Sequence, residues 1–281
     1  MVGAGLMGSG IAEVCARAGL DVVVADVSEQ AARAGRQRIR RSLDRAVRAG
    51  TLSAADADAA AERLRFTSEL GEFADRELIV EAVTEQEQAK AGVLVALDQI
   101  VTSREAIFAS NTSSIPIMRL ARAIPRAPQV IGIHFFNPVP VLELVELIPS
   151  LLTSDETYWR AEAFVTATLG KTAVRGQDRA GFVVNALLIP YLLAAIRMLE
   201  SGFAAAEDID TAMVLGCGHP MGPLKLSDLI GLDTVQAVAE SMYAEFREPL
   251  YAPPPLLSRM VDAGLLGRKA GRGFYGYLAK M

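Results

Sequence analysis

The opening stretch Val2-Gly3-Ala4-Gly5-Leu6-Met7-Gly8, read together with Val22-Val23-Val24-Ala25-Asp26, decides the fold. Gly3, Gly5 and Gly8 fit the pattern G-x-G-x-x-G, with Leu6 and Met7 in the variable places. The pattern alone is a weak signal; its context strengthens it. A helix is expected from about Leu6 to Ala18, so the glycines form a tight turn that feeds a helix N-terminus. The first amides of that helix suit a pyrophosphate. An apolar β-branched run follows and ends in Asp26, 18 residues beyond Gly8. A carboxylate there can accept both hydroxyls of an adenosine ribose, and it repels a 2′-phosphate, so NAD is favoured over NADP. The bland alternative is a glycine turn beside an exposed acid. One feature departs from the pattern: only Met1 and Val2 precede the glycines, too few for a full central strand. A native start several residues upstream, in a β-branched run, is the expectation this raises.

The 281 residues suffice for one large domain or two smaller ones. Apolar residues make up 51% and charged residues 22%, which supports a sizeable core and argues against disorder. A formal net charge of -5 offers no electrostatic case for a nucleic-acid partner. Cys15 and Cys217 lie far apart, without metal-ligand spacing, and read as free thiols of a reducing, cytoplasmic setting. The glycine-rich start does not resemble a signal peptide. Phe182 to Leu199 approaches membrane-span length but contains Asn185, Pro190 and Arg197, so it reads as a buried helix and no membrane association is expected.

Short apolar runs alternate with helical patterns through the first half. Strands are expected at Val22 to Asp26, Leu78 to Val83, Ala106 to Ala109, Gln129 to Phe135, Leu142 to Ile148 and Lys171 to Val174. Helices are expected from Ser28, a plausible cap, to about Ala49, from Glu85 to Val101 and from Ser114 to Ile124. This alternation describes βαβ units and a parallel sheet. After Asp178 only helical patterns remain: Gly181 to Leu199, Ala206 to Leu215, Leu224 to Phe246 and Leu256 to Ala263, with Pro190 expected to kink or break the first. The expected fold is α/β: a Rossmann-type dinucleotide-binding domain over residues 1–178, followed by an all-α domain over 179–281.

The chain has two histidines, and one closes a strand-like run in His134-Phe135-Phe136-Asn137-Pro138-Val139-Pro140. A hydride-transfer enzyme needs a base for the alcohol proton, and a neutral imidazole can serve. A carboxylate on the other ring nitrogen would hold the tautomer. Glu143 and Glu146 are both candidates, and spacing does not choose between them. A satisfied structural histidine is the competing reading. His219, in a Gly/Pro loop, reads as structural or exposed.

Together these residues resemble the 3-hydroxyacyl-CoA dehydrogenase family, in its short, single-function 3-hydroxybutyryl-CoA form. The resemblance rests on the glycine loop, Glu81-Ala82-Val83-Thr84-Glu85, Ala109-Ser110-Asn111-Thr112-Ser113-Ser114 and the His134 to Pro140 stretch. It continues through Gly181-Phe182-Val183-Val184-Asn185, Pro220-Met221-Gly222-Pro223, Asp228, Gly231-Leu232-Asp233 and Gly267 to Tyr275, so it covers nearly the whole chain. It implies an NAD-dependent oxidoreductase that interconverts (S)-3-hydroxyacyl and 3-oxoacyl thioesters of CoA, in fatty acid metabolism. By the same resemblance His134 is the base, Glu146 its paired carboxylate, Ser113 the hydroxyl on the substrate oxygen, and Asn185 an amide from the helical domain. Glu85, Lys90 and Asn137 fall near the nicotinamide half of the cofactor, and Ser42 near the CoA nucleotide. The site is expected between the domains, and a homodimer is implied. Ser113 has a bland alternative as a helix cap, Asn185 as a buried amide and Glu146 as a surface acid.

Two departures qualify the picture. The family's lysines near the end of the second helix are Ala49 and Thr51 here, although Arg36, Arg38, Arg40, Arg41, Arg45 and Arg48 keep the helix basic and can serve a phosphate-bearing group, with a solvated helix face as the bland alternative. Ala186 stands where arginine usually follows the asparagine. The acyl carrier is therefore less fixed than the redox chemistry. An acyl-pantetheine on a carrier protein, a free hydroxy or sugar acid, or a catalytically idle dinucleotide-binding protein are the other readings. Acyl-chain length is not set by any one residue.

Overall fold

The structure is a computed structural model, and it describes residues 1–277; the last four residues of the expected helical domain lie outside that range. The chain divides into two compact units, Met1–Arg179 and Ala180–Met281.

In the first unit the strands are β1 (Val22–Ala25), β2 (Leu64–Thr67), β3 (Leu78–Glu81), β4 (Ile107–Ser110), β5 (Val130–Phe135), β6 (Leu144–Pro149) and β7 (Thr172–Arg175). β1 pairs with β2, and β3 to β7 pair in sequence order. All these pairs are parallel except β5 with β6. Val2 bridges both β1, at Ala25, and β3, at Glu81. The short segment before the glycine loop is thus hydrogen-bonded on both edges: Val2 donates to Val80 O (2.9 Å), Ala82 to Val2 O (2.8 Å) and Gly3 to Ala25 O (2.8 Å). Val2 thereby joins the β1–β2 pair to the β3–β7 strands.

The helices of this unit are α1 (Leu6–Arg17), α2 (Glu29–Arg48), α3 (Ala54–Glu62), α4 (Glu87–Ile100), α5 (Ile117–Ala121) and α6 (Asp155–Ala163). Ser28 caps α2 as expected, accepting from Ala31 N at 3.2 Å. α5 is shorter than the expected 114–124 run. Pro116 disfavours helix at the residue before it, and the first amides of α5 are taken by Asp178, from Ile117 at 2.6 Å and Met118 at 2.7 Å. The core joins Ile11 and Ala12 of α1 to Val24, Val80, Ile131, Ile133 and Leu147 of the sheet. Burying each large apolar side chain contributes about 1.5–3 kcal/mol.

The second unit holds α7 (Val184–Glu200), α8 (Ala206–Cys217), α9 (Pro223–Ile230), α10 (Leu232–Phe246) and α11 (Pro255–Asp262). The single helix expected from Leu224 to Phe246 is two. Gly231, at φ 103°, sits between them, and a Cβ there would lie 2.9 Å from Lys269 Nζ. α7 continues through Pro190 without breaking. Its core packs Leu192, Leu193 and Ile196 against Leu224, Val235, Met242 and Leu257. Asp228 is fully buried and organises the Gly267 to Tyr275 stretch, accepting from Phe274 N, Tyr275 N and the Tyr277 hydroxyl at 3.0 Å each. Desolvation and the Asp228 charge push the Tyr277 hydroxyl up to about 12. These bonds make the Gly267 to Tyr275 stretch a clasp on the helical core.

Candidate active site

The glycine loop shows why each glycine is needed. Gly3 is at φ +91°, and a Cβ on it would lie 2.6 Å from Ala82 O, so the loop lies directly on the end of β3. A Cβ on Gly8 would lie 1.8 Å from Gly3 O, which closes α1 onto the turn. Gly5 is different: it is exposed and nothing stands within 4 Å of its missing Cβ. It is also the N-cap of α1 and makes no side-chain cap bond. The surface beside Gly5 is open, and the amides of Leu6, Met7 and Gly8 have no capping side chain, which leaves the helix N-terminus for phosphate oxygens.

Asp26 stands against this loop, accepting from Ala4 N and from Val27 N at 2.7 Å each. α2 braces the loop from behind. Arg38 donates to Ala4 O at 2.6 Å, and Gly35 lets the helix approach Ala4, whose Cβ would be 2.5 Å from an added one. Arg38 is thus committed to the loop, and Arg40 to Asp44 and Asp58 at 3.2 Å each, so these two leave the group of arginines expected to meet a phosphate-bearing substrate. Ser42 lies half-buried on α2, its hydroxyl bonded to the buried Glu13 of α1.

The open ends of β3, β4 and β5 carry the remaining polar groups. Glu81, at the end of β3, is buried with Lys90 of α4, whose Nζ lies 3.0 Å from Glu81 Oε2, 3.3 Å from Glu85 Oε2 and 3.3 Å from Val83 O. Ser110 donates to Glu81 in the same knot. With 1% exposure Lys90 has little surface for a cofactor; it acts outward through Glu85. Glu85 in turn accepts from the Thr112 hydroxyl (2.5 Å), from Ser113 N (2.9 Å) and from Ser114 N (3.2 Å). Partial desolvation pushes the Glu85 carboxyl up, but Lys90 and these donors outweigh it and hold it below the usual carboxylate range. The loop bearing Ser113 is fixed by this one carboxylate. Ser113 does not cap α5, where Asp178 serves instead.

His134, near the end of β5, lies directly across from Glu146 of β6 in the antiparallel register. Opposed residues of such a pair share a face, and Nδ1 of His134 is 2.7 Å from Glu146 Oε2. Glu146 is fully buried and His134 nearly so. Glu143, the other candidate, is exposed and precedes the strand, so it is excluded as the partner. Phe136 packs edge-on against the imidazole at 4.6 Å between centroids. Asn137 follows on an exposed turn. Asn185 lies half-buried in the first turn of α7, in the second unit.

Two residues without an expected role help hold this constellation: Glu81, as the anchor of Lys90, and Asn111, whose side chain accepts from Phe135 N at 2.9 Å. Both lie inside stretches that carry the resemblance, but burial, which makes them structural to the site, is invisible in a single sequence. A hollow of about 640 Å³ in the first unit lies elsewhere, beside the C-terminal end of α1. Its cations are already engaged: Arg17 with Glu13, Arg63 with Asp21, and Lys171 with the carbonyls of Val139 and Leu142. His219 pairs with the Tyr191 hydroxyl at 3.1 Å, as befits a structural histidine.

Comparison with known proteins places this arrangement. Residues 1–179 match the 3-hydroxyacyl-CoA dehydrogenase NAD binding domain, and residues 181–277 match the C-terminal domain of the same family. The chain belongs to the 3-hydroxyacyl-CoA dehydrogenase family. It is 56% identical over 277 residues to a 3-hydroxybutyryl-CoA dehydrogenase of Mycobacterium tuberculosis, covering 99% of this chain and 97% of that one. The crystal structure of FadB2 from M. tuberculosis superposes with a TM-score of 0.98 at 56% identity, covering 99% and 97% of the two chains. That of (S)-3-hydroxybutyryl-CoA dehydrogenase PaaH1 from Ralstonia eutropha gives 0.93 at 46% identity, covering 99% and 98%. As a 3-hydroxyacyl-CoA dehydrogenase the protein is an NAD-dependent oxidoreductase with a Rossmann-type domain followed by a helical one. The open face at Gly5, the uncapped start of α1 and the carboxylate of Asp26 fit that cofactor.

Proposed function

We propose that the protein interconverts (S)-3-hydroxyacyl-CoA and 3-oxoacyl-CoA with NAD(H), and that short acyl chains such as 3-hydroxybutyryl are its substrates. The observation that carries the reading is the buried His134–Glu146 pair, 2.7 Å apart and directly opposed on the antiparallel strands β5 and β6. Glu146, as a carboxylate, accepts from Nδ1–H and so leaves Nε2 as the proton-accepting nitrogen. Nε2 takes the hydroxyl proton of the substrate during oxidation and returns it during reduction. The negative charge of Glu146 stabilises the imidazolium formed in between. General-base assistance of this kind is worth about 10²–10⁴-fold in rate. Bound NAD supplies the hydride acceptor.

Gly3, Gly5, Leu6, Met7 and Gly8 cradle the cofactor's phosphates, and Asp26 holds the adenosine ribose and disfavours a 2′-phosphate. Glu85, with Asn137, stands toward the nicotinamide half, and Lys90 holds Glu85 charged. Ser113 steadies the substrate oxygen, its loop preset by Glu85. Asn185 is assigned to the substrate, and Arg41, Arg45 and Arg48 with Ser42 to the phosphate-bearing carrier. Exposed Leu187, Phe203 and Leu215 in the helical unit support a homodimer. A cytoplasmic setting agrees with two free cysteines; among the described residues no helix is long and apolar enough to cross a membrane.

Following NADH absorbance with acetoacetyl-CoA, then with its pantetheine analogue, then with free hydroxy acids tests the reading. Turnover that is fastest with the CoA thioester is expected. Preference for the pantetheine analogue would move the substrate to a carrier protein, preference for a free acid would change the class, and no turnover with any would make the protein a dinucleotide binder only.

A further inference from the structure

β4 ends at Ser110, while β5 runs on to Phe135. Their parallel pairing stops at Ser110 opposite Gly132, so Ile133, His134 and Phe135 have a strand neighbour only on the β6 side. A strand end with one open edge leaves amides unsatisfied and free to drift, and this is the end that carries the catalytic imidazole. The structure closes the gap with a side chain. Asn111, the residue after β4, accepts from Phe135 N with Oδ1 at 2.9 Å, taking the place of a missing ladder carbonyl. Its own backbone is tied the other way, Asn111 N donating to Glu81 O at 2.9 Å. The residue is buried, and because its partner is an N–H the amide orientation is fixed, with oxygen toward β5.

We infer that Asn111 is a positioning residue for the reaction, which holds His134 in register with Glu146 by completing the hydrogen bonding of β5 one residue beyond it. The inference rests on the reading of His134 as the base. The effect is geometric. A displacement of about 1 Å at a reacting group costs on the order of 10²-fold in rate, and the imidazole has one buried carboxylate to meet.

The test compares Asn111→Ala with Asn111→Asp, whose carboxylate oxygen can still accept from Phe135 N. Two readouts are taken: steady-state kinetics, and nitrogen NMR of the His134 ring in a His219→Gln background, where it is the sole histidine. In the parent and in Asn111→Asp the neutral ring is expected as one tautomer, with hydrogen on Nδ1. In Asn111→Ala mixed tautomers are expected, with kcat down about 10–100-fold and KM for NADH changed by less than about threefold. Should Asn111→Ala fail to fold, Asn111→Ser, too short to reach Phe135, takes its place with the same expectations. The inference is overturned by a single tautomer in the truncated variant, by kcat within about threefold of the parent, or by Asn111→Asp as impaired as Asn111→Ala. A parent that turns over no hydroxyacyl thioester would instead overturn the proposed function, while the ring signals still decide whether Asn111 positions His134.

Discussion

At the scale of single residues, the site is a set of carboxylates given different tasks by their surroundings. Glu146 is fully buried against one imidazole, and Glu85 is held low by Lys90 and by the loop it organises. Replacing Glu146 with Gln keeps an acceptor but removes the charge that stabilises the imidazolium. A fall in kcat of about 10²-fold or more is expected, with little change in NADH affinity by fluorescence titration. Asp26→Ala is expected to weaken NAD binding and to shift the NAD/NADP preference by about tenfold or more, read from kcat/KM with each cofactor. Glu13 is a carboxylate without a catalytic task. Burial pushes its carboxyl up, against Ser42, Arg17 and Arg45, which pull it down. An acid whose folded pKa is raised favours the folded state while protonated, and that contribution is lost as pH rises from its unfolded value through the folded one. Glu13→Gln is therefore expected to melt above the parent at pH 7, with the gap closing near pH 4; a gap that is the same at both values would contradict this.

At the scale of elements, spacing and punctuation carried much of the reading, and the failures have physical causes. The glycine loop, α1, β1, α2 and β3 to β5 lie within a few residues of their expected places, because each couples a clear period to a clear stop. The expected elements do not include α3, β2 or α6. α3 is mostly alanine with acids and has almost no apolar stripe, but Ser53-Ala54-Ala55-Asp56 held a usable signal: Ser53 accepts from Asp56 N at 3.0 Å and caps it. β2 is an edge strand of four residues, of which only Thr67 is buried, and it is too short for its alternation to be read. The break at Gly231 is hidden because a single glycine inside a helical pattern is tolerated, so it does not by itself mark an end. Glycines also give a paired test of the loop. Gly8→Ala, whose Cβ would meet Gly3 O, is expected to lose about tenfold or more in NADH affinity. Gly92→Ala, within α4 and facing open space, is expected to stabilise the fold by about 0.5–1 kcal/mol in denaturant titration without touching kinetics.

For the whole molecule, the net charge of -5 offers no electrostatic case for a nucleic-acid partner, and the motifs point to the chemistry; packing decides how those residues are held. His134 is legible as a candidate because it closes a strand-like run, whereas Ser113 and Glu146 enter as what the resemblance implies. The choice of Glu146 over Glu143 needed either the resemblance or the β5–β6 register, since spacing leaves both in play. Lys90, Glu81 and Asn111 take their importance from being buried beneath the site, which no single sequence displays. Of the arginines on α2, two turned out to be braces. Sedimentation of the 281-residue chain is expected to give a species of twice the 30.0 kDa chain mass, and a monomer at micromolar concentration would remove the homodimer from the account. Turnover, however, is the property that joins all these parts. The most direct measurement is the rate of NADH formation from (S)-3-hydroxybutyryl-CoA by the parent and by His134→Gln, with NADH affinity measured alongside. The account predicts a loss of about 10²–10⁴-fold in kcat at nearly unchanged NADH affinity. A variant that turns over at close to the parental rate would contradict it, because the proton would then be leaving by another route.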